Sequence, residues 1–237
     1  MNKNFNLRKP FFEFGPKVFI MGDEALELAI HADQLSQQYQ VDIIFTAQYT
    51  DIEKIAKKTK FIKVFAQHMD ANNIGRGIGS VLGESLKLAG AQGVLLNHAE
   101  RPLTLSVLNE TIKRAEAIGL ATLVCAGTIE ESCAVACLNP SIVLAESPLL
   151  IGVGKRSEND QEEIQKINSA IKAINRELPV LHGAGITDEN DVYQIILAGA
   201  DGTGSTSGVI KAKNPKQMLS QMIQAVNKAY QERTKQK

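Results

Sequence analysis

A chain of 237 residues, 44% of them hydrophobic and 22% charged, can bury a large core and matches one α/β barrel better than two small domains. Its 26 Lys and Arg balance 26 Asp and Glu, which excludes a whole-chain basic excess able to hold nucleic acid or an anionic membrane. No apolar run reaches the ~18 residues of a membrane span. The first ten residues lack the apolar segment of a signal peptide, and the odd set Cys125, Cys133 and Cys137 suits a reducing compartment, so a cytoplasmic protein is expected.

Short β-branched or apolar runs alternate with longer amphipathic segments from end to end, the pattern of repeated βα units with parallel strands. Strands are expected at residues 10–14 (PFFEF), 41–46 (VDIIFT), 63–67 (KVFAQ), 92–96 (QGVLL), 120–125 (LATLVC), 141–145 (SIVLA), 179–183 (PVLHG) and 200–203 (DGTG). Helices are expected between them. Ala25, Leu28, Ala29 and Leu35 make one apolar stripe over 23–38, and Leu105, Leu108, Ile112 and Ala115 another over 103–118. Two more helical patterns cover 157–177 and 213–233. Cys133 and Cys137 stand four apart in a helical stretch, a spacing open to metal binding but read here as packing, so no metal is expected.

Eight units in this length favour one closed (βα)8 barrel spanning residues 1–237 over an open sheet, because such barrels use ~250 residues. Chemistry in that fold sits where the strands end. Reading those positions gives Lys17 after the first strand, Asn97 and His98 after the fourth, Glu146 after the sixth, Gly183 to Gly185 after the seventh and Gly204 to Gly208 after the eighth. A lysine, an imidazole and a carboxylate around one pocket suit proton abstraction beside a carbonyl. Gly-rich turns after strands seven and eight offer backbone N–H groups near a helix N-terminus, the usual phosphate cradle of these barrels. Taken singly, His98, Glu146 and Lys17 could each be structural or solvated. His182, ahead of the phosphate-type glycines, could touch a ligand, whereas His31 and His68 read as structural.

Six segments, FAQHMD (65–70), LLNHAER (95–101), LVCAG (123–127), LNPSIVLAESPLLIGVGK (138–155), GAGIT (183–187) and TSGVIKAKNP (206–215), together resemble the triosephosphate isomerase family, most closely its short archaeal-type branch. The resemblance implies a TIM barrel that isomerises a small phosphorylated sugar without a cofactor, as a homo-oligomer of two or four chains. It places the general base on Glu146, the electrophilic histidine on His98 and the substrate-binding lysine on Lys17, with Glu100 accompanying the histidine. It places phosphate-binding backbone groups at Gly152, Gly185, Thr206 and Ser207, and a closing loop at residues 149–155.

The pattern breaks at four positions. The family's Asn-x-Lys is Gly15-Pro16-Lys17, so an amide that helps to bind substrate is missing. A loop-three threonine that reaches into the neighbouring subunit aligns with Ile78. The proline after the catalytic glutamate is Ser147, and an apolar residue that presses on the carboxylate is Gly204. Loss of that residue is expected to enlarge the pocket and weaken desolvation of the base. The resemblance therefore leaves a four-carbon ketose phosphate, such as a tetrulose phosphate, or a catalytically degraded sugar-phosphate sensor, beside the triose substrate.

Overall fold

The computed structural model describes residues 5–147, 150, 151 and 160–235. Eight parallel strands close a barrel in sequential order: β1 (Phe11–Phe14), β2 (Asp42–Ala47), β3 (Lys63–Ala66), β4 (Gly93–Leu96), β5 (Ala121–Ala126), β6 (Ile142–Ala145), β7 (Val180–His182) and β8 (Gly202–Gly204). All eight expected strands are present, each shifted by two residues at most. β8 consists only of Gly-Thr-Gly yet closes the ring, pairing Phe11 with Gly202 and Glu13 with Gly204.

The helices follow as α1 (Gly22–Tyr39), α2 (Ile52–Lys58), α3 (Gly83–Leu88), α4 (Leu105–Ala117), α5 (Ile129–Cys137), α6 (Asp160–Ile174), α7 (Glu189–Leu197), α8 (Ser207–Ile210) and α9 (Pro215–Lys235). The stripe read on α1 is buried as expected. On α4, Leu108, Ile112 and Ala115 are buried but Leu105, the first helical residue, is exposed because it precedes the turn that meets the sheet. Thr104, Thr128 and Asp188 cap α4, α5 and α7, their side-chain oxygens accepting from backbone N–H groups of the first turn.

Period-two alternation along the strands divides the apolar residues into two shells. Phe12, Phe14, Ile43, Phe45, Val64 and Val143 face the helices. Phe11, Ile44, Phe65, Ala121, Leu123, Cys125, Ile142, Leu144 and Leu181 fill the barrel interior. Gly93 and Gly202 give up their side chains so that the rings of Phe65 and Phe11 can lie across the middle; a Cβ on either would come within 2.5 Å of a ring carbon.

The two ends of the barrel carry different chemistry. At the strand N-terminal end, buried Asp42 accepts from Arg8 N and Nε, both at 2.8 Å, with Lys63 Nζ 3.6 Å away. Asp201 pairs with Lys9 and Lys172, each at 3.0 Å. These ion pairs tie the N-terminal segment to β2 and β8. At the other end the backbone itself is unusual: Lys17 (φ 50°), Asn97 (φ 59°) and Ala184 (φ 60°), the left-handed non-glycine residues just past β1, β4 and β7, all lie at its rim. Such conformations cost about 1–3 kcal/mol each and persist where the surroundings impose them.

Candidate active site

The residues expected after the strands converge. Lys17 Nζ lies 2.7 Å from Glu100 Oε1, and His98 Nε2 lies 3.5 Å from Glu146 Oε2. His98 and Glu146 are both largely buried, with 12% and 15% of their side chains exposed. One cavity is lined by Lys17, Glu146, Gly183–Ile186, Gly204–Ser207 and Lys211; a second is lined by Lys17, Thr46, Gln48, Gln67, His98 and Glu146. Lys17, Glu100 and Glu146 border both.

Local chain geometry sets the state of the histidine. Asn97, held in the left-handed region, ties its side chain to Cys125 O (3.0 Å) and Leu103 N (2.9 Å), fixing the turn that presents His98. The backbone N–H of Glu100 donates to His98 Nδ1 at 3.1 Å. Nδ1 must therefore be an unprotonated acceptor, which leaves the proton on Nε2, directed at the cavity and Glu146. Burial, and then the nearby Lys17 ammonium, hold the imidazole below its ordinary pKa, so the neutral ring persists. Glu100, bonded to Lys17, is held below the usual carboxylate range.

Gly183 faces Glu146: a Cβ there would stand 3.0 Å from Glu146 Oε1, so the absent side chain is the space the carboxylate uses. Gly185 lines the first cavity in the left-handed region (φ 67°). Thr206 and Ser207 line it from the β8 turn, with Thr206 Oγ1 donating to Gly15 O at 2.7 Å. Gly152 and most of the expected closing loop, residues 149 and 152–155, lie outside the described residues. His182 is turned away from the chemistry. Leu181 fills the interior, so its neighbour points outward, where His182 Nε2 meets Asn168 Oδ1 of α6 at 2.9 Å.

One acidic residue in the cavity was not among those singled out by position: Glu13. It follows Phe11 by two residues and so shares its inward face, on a strand the sequence presents as apolar. A carboxylate inside PFFEF is itself the signal, because an ionisable group on a buried strand needs a partner or a use. Thr46 Oγ1 donates to Glu13 Oε1 at 2.6 Å, and the group borders both cavities. Burial, reinforced by the Glu146 charge and opposed by Thr46 and Lys17, pushes its pKa from 4.5 to about 7. The same neighbourhood, burial first and then Glu146 and Glu13, pushes the Cys125 thiol well up.

The Glu13 shift makes stability depend on pH. Folded protein keeps a proton that the unfolded chain releases, so the contribution is complete below pH 4.5 and is lost as pH rises through about 7. Full loss corresponds to about 3 kcal/mol. Urea titrations at pH 5 and pH 8 should show Glu13→Gln gaining close to this amount on the wild type between the two conditions; equal changes in both proteins would mean that Glu13 ionises freely.

Gly204 also acquires a different meaning. A Cβ at 204 would lie 2.4 Å from the main-chain O of Glu13 and 3.0 Å from its Cβ. Gly204 therefore lets β8 approach the main chain of β1 at residue 13, whose side chain borders both cavities.

Fold and site together define a (βα)8-barrel enzyme of the acid–base isomerase class, with carboxylate, neutral imidazole and ammonium at the C-terminal mouth and a glycine-rich cradle beside them. The triosephosphate isomerase family model matches residues 17–226. Proteins named triosephosphate isomerase are 40% identical in Methanobacterium bryantii, over 86% of this chain and 91% of that one. The Sulfolobus acidocaldarius protein of that name is 37% identical, over 90% and 92%, and the Methanocaldococcus jannaschii one 35%, over 87% and 94%. The chain belongs to the triosephosphate isomerase family.

Proposed function

We propose that this protein interconverts glyceraldehyde 3-phosphate and dihydroxyacetone phosphate through an enediolate, with Glu146 as base, His98 as electrophile and Lys17 as the balancing cation. The observation that carries the reading is His98: its Nδ1 is committed to the Glu100 N–H, and its Nε2–H faces the Glu146 carboxylate at 3.5 Å. A substrate carbon seated beside Glu146 and a carbonyl oxygen seated on Nε2 would be neighbours, as proton transfer next to a carbonyl demands. This pairing of a glutamate base with a neutral histidine is the one known for triosephosphate isomerase. Lys17 opposes the charge that grows on the enediolate oxygens, and backbone N–H groups at Gly185, Thr206 and Ser207, with Gly152, receive the phosphate.

A longer ketose phosphate is the second reading, favoured by the cavity that continues past Glu13 toward Thr46, Gln48 and Gln67. NMR in D₂O decides between them. Deuterium should enter the carbon beside the carbonyl of dihydroxyacetone phosphate with formation of the aldose, and faster exchange on a tetrulose phosphate would reassign the substrate. Phosphoglycolate binding without exchange on either would leave a sensor in place of an enzyme.

Closure of the eight units into one ring supports reading residues 1–237 as a single domain. Free Cys125, Cys133 and Cys137 support a cytoplasmic setting, and among the described residues no helix is long and apolar enough to cross a membrane. A homo-oligomer, two or four chains, is supported by exposed Val18, Phe19 and Met21 after β1 and Ile74 and Ile78 after β3; sedimentation equilibrium reads the stoichiometry.

A further inference from the structure

The surroundings of Glu13 are shaped around its side chain. Oε1 accepts from Thr46 Oγ1, and a Cβ at position 15 would lie 2.7 Å from that same Oε1. Any side chain at 15 would thus begin where the carboxyl group stands, which is also where the family's asparagine amide sets out. Gly15, one departure from the family pattern, leaves room for the carboxyl of this inward residue, and Gly204, another, lets β8 close on its main chain. Glu13 stands at the junction of the two cavities with Lys17, Glu100, Glu146 and Thr206, so anything seated between Glu146 and the glycine-rich turns passes beside it.

We propose that Glu13 is a substrate-binding, specificity-determining residue whose carboxylic acid, anchored through Oε1 by Thr46, donates a hydrogen bond from Oε2 to a substrate oxygen, replacing the amide that position 15 has lost. The inference rests on the sugar-phosphate isomerase reading. A carboxylic acid offers one C=O acceptor and one O–H donor, the layout of an amide with one N–H fewer. Thr46 takes the acceptor, which leaves the donor for the cavity.

The charged and titratable groups around it are Lys17 beyond β1, Tyr49 beyond β2, His98, Glu100 and Arg101 beyond β4, Cys125 on β5, Glu146 beyond β6 and Lys211 beyond α8. Burial and Glu146 keep the acid neutral until about pH 7, against Thr46 and Lys17. Above that, the donor is lost and a negative charge stands beside an anionic ligand, so affinity falls on the alkaline side.

The probe is glycerol 3-phosphate, which carries a hydroxyl and a phosphate but no carbonyl to be turned over. Calorimetric Kd values for the wild type and Glu13→Gln are measured from pH 6 to pH 9. Ionisation of the ligand is common to both proteins, so the ratio of the two constants cancels it and leaves position 13 with the Glu146 carboxylate coupled to it. The wild-type Kd should rise about tenfold relative to that of the Gln variant across this range. A constant ratio, or no wild-type binding at pH 6, overturns the proposal. In a second arm, Glu13→Gly and Gly15→Asn are compared singly and together. Each alone should weaken binding, and the double variant should bind about tenfold tighter than Glu13→Gly, because the amide returns to the vacated place. Losses that simply add overturn the exchange of roles. Neither arm depends on turnover, so absence of deuterium exchange with both binding results intact would end the isomerase reading and leave Glu13 as a ligand contact.

Discussion

Glu146→Gln is expected to lower kcat by about 10³-fold or more. The amide keeps the length and shape of the side chain, fits the space left by Gly183 and can still face His98 Nε2, but it cannot take a proton from carbon. KM should change little, because Lys17 and the glycine-rich turns that line the cavity are untouched. That split between kcat and KM separates loss of a base from a damaged pocket. Steady-state kinetics in both directions would read it, and a variant with near wild-type kcat would remove Glu146 from the reaction.

Lys17→Met should cost about 10²–10³ in kcat/KM. The site gathers Glu13, Glu100 and Glu146 around a ligand that is itself anionic, and Lys17 borders both cavities among them. Its removal takes away the charge that opposes a forming enediolate, and it also releases Glu100 from an ion pair at 2.7 Å. A second effect identifies the mechanism. The Lys17 ammonium helps to keep the imidazole of His98 below its ordinary pKa, so without it the ring holds a second proton to higher pH. The acid limb of the kcat/KM profile should accordingly move upward. A drop in activity with an unmoved limb would mean that Lys17 binds substrate without tuning the histidine.

Much of the fold was legible because its determinants are local. VDIIFT, LATLVC and SIVLA are apolar runs too short for helices and are bounded by turns, and each became a strand lined on both faces. The convergence of Lys17, His98 and Glu146 on one cavity was legible because a barrel brings together the residues just past its strands. Glu13 was not, since it lies inside a strand. Its state depends on Thr46 from β2, Glu146 just past β6 and room made by Gly15, while Gly204, 189 positions further along the chain than Gly15, approaches its main chain only across the β1–β8 seam. Read along the chain, those glycines were separate losses; read across the barrel, they accompany one gain. The tautomer of His98 was hidden for a like reason, being fixed by a backbone N–H two residues away whose direction only the folded turn defines.

The ion pairs of Asp42 and Asp201 stand at the end of the barrel opposite the mouth, and none of their partners borders either cavity. Substitutions around Arg8, Lys9, Lys63 and Lys172 can accordingly adapt a lineage to heat or cold without touching what it metabolises. Exchanges at 13 and 204 act on both at once, because the proton held by Glu13 and the close approach at Gly204 enter the stability as well as the shape of the mouth. A gene duplicated from this one can therefore change its tolerance of temperature alone, but not its choice of nutrient alone.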